Sequence, residues 1–510
     1  MDVSTVPSFR LWLLAFVGFF LLHAGWAFAT PYNGPPDEQE HTLRAAGIMH
    51  GELIGDPVLF GKRLGFGGMH TGPASLQRGW CFPTKVNVAA DCEPEPGGDQ
   101  TARSHHTRAS WYNPIYYGVT GWPLGLWPNW TGILLTRLLT GAAVAALLAC
   151  ALVVAVRWTR HRALVAGLVV AVTPTLASLG GAINPNGVEI AAGVALFTAL
   201  IAVVHEQREG VNRAAVALAG VSAGVLVTPR FTGVLWLLVI LGVILVPSSR
   251  DRLAVLARSR PVRFWAAVAG VCTLLSVAWT IFAAPDSDFM ATPTTHFSLT
   301  EVLRYAVLDH MWPDVANQMV AVPGWSELAM PRLVYLVWFA TLGMLFLGGL
   351  VLGHRVDRWR LLALLFACFT PLLALEILTV NYVGWFNQGR YFLSAAVGLP
   401  LLGAYILAHR SFTAEQIRTT TRLLATLLLP IHFFCLAYSM TRWNSGLRSL
   451  NPFNGSWSPP LGTALPLAMA AVAIAVMFLV YWRASRIPTP QPAPAESSGH
   501  STQREPVSHV

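Results

Sequence analysis

Asp37, Glu38, Glu40 and His41 fall within five positions of the string NGPPDEQEHTLRA (33–45), in a chain of 510 residues of which only 12% are charged. A carboxylate with a histidine one helical turn away is a pairing that general acid–base chemistry uses. The same spacing also has a plainer reading. Asp37 and Glu40 stand three apart, as in a capping box at a helix start, and Glu40 and Arg44 stand four apart, as in a helical ion pair. Asp37, Glu38 and His41 are donor types that a divalent cation accepts as well, although sequence neighbours alone rarely fill a coordination shell.

The elements that must position these groups are membrane spans. Hydrophobic residues make up 54% of the chain and the mean hydropathy is +0.52, which excludes an ordinary soluble domain. Apolar runs at 11–30, 131–156, 163–181, 187–204, 214–228, 233–247, 264–284, 333–353, 361–379, 391–408, 423–441 and 464–482 predict an all-α polytopic protein of about twelve transmembrane helices. The two runs around Thr228-Pro229-Arg230 are short enough to form one broken element. Arginines crowd every second connection, among them Arg157, Arg160, Arg208, Arg258, Arg358 and Arg418, and Arg486 follows the last run. The positive-inside rule then makes both termini cytoplasmic and turns the 31–130 segment and a second loop, 285–331, outward. The net charge of +9 is a topology signal and carries no nucleic-acid inference. The first run enters the acidic motif with no small-residue cleavage site and reads as a retained span. From 485 onward a Pro-, Ser- and Ala-rich tail is expected to be disordered, leaving 1–484 as the transmembrane domain. Only Lys62 and Lys85 are lysines, and with abundant Ala and Val this suggests a GC-rich genome such as an actinobacterium.

Cys150, Cys272, Cys368 and Cys435 lie within predicted spans, where thiols serve as small apolar side chains. Cys81 and Cys92 lie in the outward segment, unaccompanied by a second pair at zinc-ligand spacing, and are expected to form a disulfide. That segment ends in WYNPIYYGVTGWPLGLWPNW, whose aromatics and prolines suit the membrane interface.

The strings PPDEQEHTLRAAGIMHGEL, WYNPIYYGVTGWP, VTPTLASLGGAINPNGVE and NQGRYFLSAAVGLPLL resemble the bacterial membrane-protein family called domain of unknown function 2142, which is grouped with the GT-C glycosyltransferases; the resemblance runs from about residue 10 to 410. Asn186 stands where that pattern leads one to expect Asp, and Arg230 where Lys is frequent. The resemblance implies a GT-C-like fold and an inverting glycosyltransferase that takes sugar from a polyprenyl-phosphate donor at the outer face of the bacterial plasma membrane. The acceptor would be an envelope glycan, lipid or protein.

In such a reaction one carboxylate must take the acceptor proton, and Asp37 is the expected base, with Glu38 its rival. The leaving phosphate departs as a stable anion and needs cations instead of a second acid. Arg390, in NQGRYF at the mouth of a span, and Arg230, between two short spans, are the expected phosphate contacts, although an interfacial arginine is also common for its own sake. His41, Arg44 and Tyr391 complete the substrate-binding set. Arg137 and Glu376, predicted inside spans, each need a partner, which could be the other or Glu189. No phosphate-cradling glycine loop followed by Lys-Ser or Lys-Thr is present, which disfavours a nucleotide-sugar donor. A transporter or flippase for lipid-linked precursors would show paired repeats, and none is evident. A non-catalytic envelope-assembly role is the third reading.

Overall fold

The computed structural model describes residues 8–60, 63–206, 211–283 and 293–485. Arg208, Arg486, Lys62 and Asp286 and Asp288 of the second loop lie outside these residues, as does the expected disorder of 486–510. Among the described residues the chain is all-α apart from two small two-stranded antiparallel sheets. Every apolar run falls on a helix or a helix pair. Among the described residues nine helices are long and apolar enough to cross a membrane, or ten if the pair Arg160–Ala171 and Pro174–Gly180, bent by 71°, is one span. That bend has a local cause: Thr173 caps the second helix by accepting from the Leu176 amide, and Pro174 at the first helical position has no amide with which to continue the preceding one.

The count of about twelve therefore includes two helices, Arg213–Val227 and Thr232–Leu245, that fall short of a full crossing. At about 1.5 Å per residue each is roughly 22 Å long, against a hydrocarbon core of about 30 Å. They break at Thr228-Pro229-Arg230, as Pro229 suggests. The most apolar stretch of the helix Pro185–His205 is wholly buried inside the bundle, whereas that of Arg260–Ala283 is only 11% buried, which leaves this helix on the outside. The first helix, Ser8–Ala29, is packed between Trp130–Trp158 and Ala464–Ala484.

The 31–130 segment folds onto one end of this bundle. It opens with the helix Glu38–Met49 and contains a hairpin in which Gly68–Pro73 pairs with Ala102–Thr107, Gly68 opposite Thr107. Cys81 and Cys92 are bridged. Short helices Pro114–Thr120 and Trp122–Leu126 close it, with Val119, Trp122 and Leu126 exposed.

A buried arginine from the bundle ties the disulfide loop down. Arg442, near the end of the helix Ala414–Ser445, donates to the carbonyls of Val88 at 2.6 Å, Phe82 at 2.8 Å and Lys85 at 3.1 Å, and to Glu327 Oε1 at 3.1 Å. Arg442→Ala would strand a buried carboxylate and three carbonyls. It is expected to cost about 3–5 kcal/mol. A thermal melt of purified protein in detergent checks this, and an unchanged melting temperature would contradict the tie.

Candidate active site at the mouth of the bundle

Asp37 directly precedes the helix Glu38–Met49 with φ 58°, a left-handed backbone that Asp and Asn tolerate better than most side chains. Its carbonyl accepts from the His41 amide at 3.1 Å, but its carboxylate makes no capping bond. The carboxylate reaches across the molecule instead, and Oδ2 accepts from Arg390 Nη2. Glu40 does not close a capping box, because its Oε2 accepts from the Arg108 amide at 2.6 Å. The capping reading of the motif thus fails for both side chains. One carboxylate is left free to meet a cation, and the Asp37 side chain is 33% exposed.

The cations come from two helix ends. Arg390 stands in the first turn of the helix Gly389–Ala396 and is 4% exposed. Its Nη2 also donates to Tyr391 Oη at 3.3 Å, while its Nε is buried without a hydrogen-bond acceptor. Arg230, at the break between the two short helices, lies 3.8 Å from Glu189 Oε2, longer than a hydrogen bond. Its guanidinium stands 4.6 Å from the centre of the Tyr391 ring and 5.6 Å from that of Tyr112. Arg390 lies 5.1 Å from the same Tyr391 ring, so this one phenol is in contact with two guanidinium groups. Asn186, the expected Asp position, donates to Glu189 Oε2 at 2.9 Å. Asn there supplies a donor where Asp would set a second carboxylate against Glu189.

His41 completes the cluster as a neutral group. Burial holds its pKa down at about 3; the Asp37 charge opposes this, and Arg230 and Arg390 reinforce it. Its Nδ1 lies 2.8 Å from Tyr117 Oη. Burial raises the pKa of Tyr112 and of Tyr117, keeping both phenols protonated as hydrogen-bond donors. Because the folded pKa of His41 lies below the ordinary 6.5, the free energy it favours is present above pH 6.5 and is lost as pH falls toward 3. Melting curves are therefore expected to show acid destabilisation beginning near pH 6, and His41→Gln to blunt it.

Two of the expected site residues belong elsewhere. Glu38 is fully buried: Oε1 accepts from Arg137 Nε at 2.7 Å and from the Ile183 amide at 3.1 Å, and Oε2 accepts from Arg137 Nη2 at 2.6 Å. Arg137 donates further to the carbonyls of Ala27, Thr30 and Pro31. This enclosed fork rivets the end of the first helix to Trp130–Trp158 and leaves Glu38 no access to a substrate. Glu38→Gln is expected to lower stability by about 3–5 kcal/mol through the unpaired buried Arg137. Denaturation midpoints check it. Glu376 does not pair with Arg137; it accepts from the amides of Phe386 at 2.9 Å and Asn387 at 2.8 Å.

Arg44, expected among the substrate-binding residues and as the partner of Glu40, makes no ion pair with Glu40. It is buried and donates to the carbonyls of Leu53 at 2.7 Å and Tyr112 at 2.8 Å. Beside it Glu52, His70 and Ser110 line up like a hydrolase triad, with His70 Nδ1 3.1 Å from Glu52 and Nε2 3.0 Å from Ser110 Oγ. Arg44 Nη1 also lies 3.2 Å from that Nε2, and Ser110 is 3% exposed, so the row braces the hairpin and is closed to a substrate. Nor does the Asp37, Glu38 and His41 trio fit a divalent cation, because Arg137 occupies Glu38 and Tyr117 engages His41. Among the described residues no group of three or more His, Cys, Asp or Glu side chains could hold a metal.

Two clefts flank the cluster. One, with about 320 Å³ of open space, runs past Pro36 and Arg390 between Thr175, Ser178, Gln318 and the 322–326 loop. The other, of about 280 Å³, runs past Arg230 and Tyr112 to Ser276, Trp279 and Thr280 of the exposed helix Arg260–Ala283. The sequence had marked Asp37, His41, Arg230, Arg390 and Tyr391, and the fold gathers all five. It had missed Tyr112, Tyr117 and Glu189 as neighbours, although the aromatic string WYNPIYYG was in view.

The profile of the family described as a predicted membrane protein, DUF2142, matches residues 20–399. The chain belongs to that family. All five clustered residues of this DUF2142 protein lie within the matched range, whereas Arg442 and the last two long helices lie beyond it. Among solved structures it is similar to ArnT from Cupriavidus metallidurans in the apo state, with 12% identity over 94% of this chain and 77% of that one and a TM-score of 0.43. The same protein bound to undecaprenyl phosphate gives 13%, the same coverage and 0.44. The arabinofuranosyltransferase AftD from mycobacteria gives 15% over 87% of this chain and 27% of that one, at 0.39. No curated protein matches the sequence.

Proposed function

We propose that this protein is an inverting membrane glycosyltransferase that moves a sugar from a polyprenyl-phosphate donor to an acceptor hydroxyl outside the cell. The observation that carries the reading is the meeting of one partly exposed carboxylate, Asp37, with the buried guanidinium of Arg390, beside a second cation at Arg230. The acceptor oxygen attacks the anomeric carbon while Asp37 takes its proton, and the bond from that carbon to the phosphate oxygen breaks. The departing phosphate is an anion whose charge Arg390 and Arg230 offset, and the unpartnered Nε of Arg390 is a donor for its oxygen. Before donor arrives, Asp37 and Arg390 satisfy each other; a bound phosphate competes for the guanidinium and releases the carboxylate to act as base. The cleft against the helix Arg260–Ala283 suits the entering lipid, since that helix presents its surface to the bilayer. Both termini are then cytoplasmic, in line with the arginine distribution.

The test is purified protein in liposomes with radiolabelled polyprenyl-phosphate sugars and an envelope extract, scored for covalent transfer and for movement of the lipid across the bilayer. Transfer without movement supports the enzyme. Movement without transfer would make the protein a flippase.

A further inference from the structure

Resting on the glycosyl-transfer reading, we infer that the cleft beside Pro36 and Arg390 is an acceptor subsite for an uncharged carbohydrate chain. Its lining alternates hydroxyl and amide groups, Thr175, Ser178, Gln318 and Gln388, with apolar surface from Leu179 and Pro323. That mixture matches a sugar ring, which offers hydroxyl groups at its edge and C–H groups on its face. Arg390 is the sole charged residue in the lining, and it already faces Asp37. With no carboxylate in the lining, an amino group would find no counter-charge there.

Two further observations point to a ligand. Gln388 Oε1 is buried at the cleft without a hydrogen-bond donor, the arrangement expected where an incoming hydroxyl supplies one. At the rim, Trp325 lies between the lining residues Gly324 and Ser326, and its ring meets that of Trp80 with centroids 4.5 Å apart. Trp80 remains 48% exposed, whereas Trp325 is fixed by donating from Nε1 to the Asn33 carbonyl at 2.9 Å. A fixed, half-exposed aromatic pair beside a neutral polar cleft is a platform for the next residues of a glycan, with the reactive hydroxyl placed toward Asp37.

The experiment measures binding of short neutral oligosaccharides, uronate-containing oligosaccharides and inositol phospholipid headgroups to the full chain in nanodiscs by saturation-transfer NMR and calorimetry. Neutral oligosaccharides are expected to bind, and Trp80→Ala and Gln388→Ala each to weaken them about tenfold, leaving polyprenyl-phosphate affinity and the melting temperature unchanged. Preference for the charged ligands, or neutral binding indifferent to both substitutions, overturns the inference. The two readings fail separately. If neutral glycans bind as described but no sugar is ever transferred, the proposed function falls and the cleft stands as a glycan-binding site without an acceptor role. If sugar is transferred while Trp80→Ala and Gln388→Ala leave the acceptor KM untouched, the reverse holds.

Discussion

Asp37→Asn is expected to lower turnover by about 10²–10⁴-fold with expression and melting temperature close to those of the unaltered protein. The substitution suits the site structurally. Asn is as much at home as Asp in the left-handed backbone at φ 58°, and its side-chain oxygen can still accept from Arg390. What it lacks is a lone pair basic enough to take a proton from a hydroxyl. Because Asp37 makes no capping bond, there is no cap to lose, and a fall in activity cannot be blamed on a frayed helix. Donor affinity should hold or rise, since Arg390 no longer shares its charge with a carboxylate. Steady-state transfer assays alongside melting curves check this. Normal turnover by Asp37→Asn would remove the base from the mechanism, and Glu38, enclosed by Arg137, could not replace it.

The second large effect is expected at Arg390. Truncation to Ala removes a charged donor set and should weaken donor binding by about 1.5–3 kcal/mol, roughly 10- to 150-fold. Arg390→Lys keeps the charge but loses the fork and the unpartnered Nε, so it should recover only part of the affinity. Binding of polyprenyl phosphate, measured without acceptor, separates this from any effect on the chemical step. Should donor affinity be the same in all three proteins, the phosphate would belong to Arg230 alone.

Much of this was legible before the fold was known, for identifiable reasons. Apolar runs report spans because the bilayer demands about 20 consecutive apolar residues, and all twelve runs found helices. Pro229 marked one helix break, whereas the break at Pro174 fell inside a run read as a single span; the place of Cys81 and Cys92 on one outward segment, with no second pair at zinc-ligand spacing, told of their bridge. Arg230 and Arg390 could be singled out because a cation at the mouth of a span is costly without a task. Partners were the illegible part. Glu38 and Asp37 are adjacent in sequence, yet a single residue of backbone turns one into the bundle onto Arg137 and the other across the opening onto Arg390, and no local pattern encodes which. Arg44 had the spacing for an ion pair with Glu40, but the carbonyls of Leu53 and of Tyr112, the latter 68 positions away, claimed it. The hairpin of Gly68–Pro73 with Ala102–Thr107 carries His, Thr, Ser and Gly with no apolar alternation, so its register comes from tertiary contacts such as the His70 brace.

The stereochemistry of the product tests the central claim most directly. The proposed mechanism, with one carboxylate base and a pair of arginines at the phosphate, permits one displacement at the anomeric carbon and no covalent sugar on the enzyme. Purified protein supplied with an anomerically pure polyprenyl-phosphate sugar and an acceptor should release one polyprenyl phosphate for each glycosidic bond formed. NMR of the product should show the opposite anomeric configuration to the donor. Retained configuration, or lipid phosphate released without a new glycosidic bond, would contradict the mechanism built on Asp37.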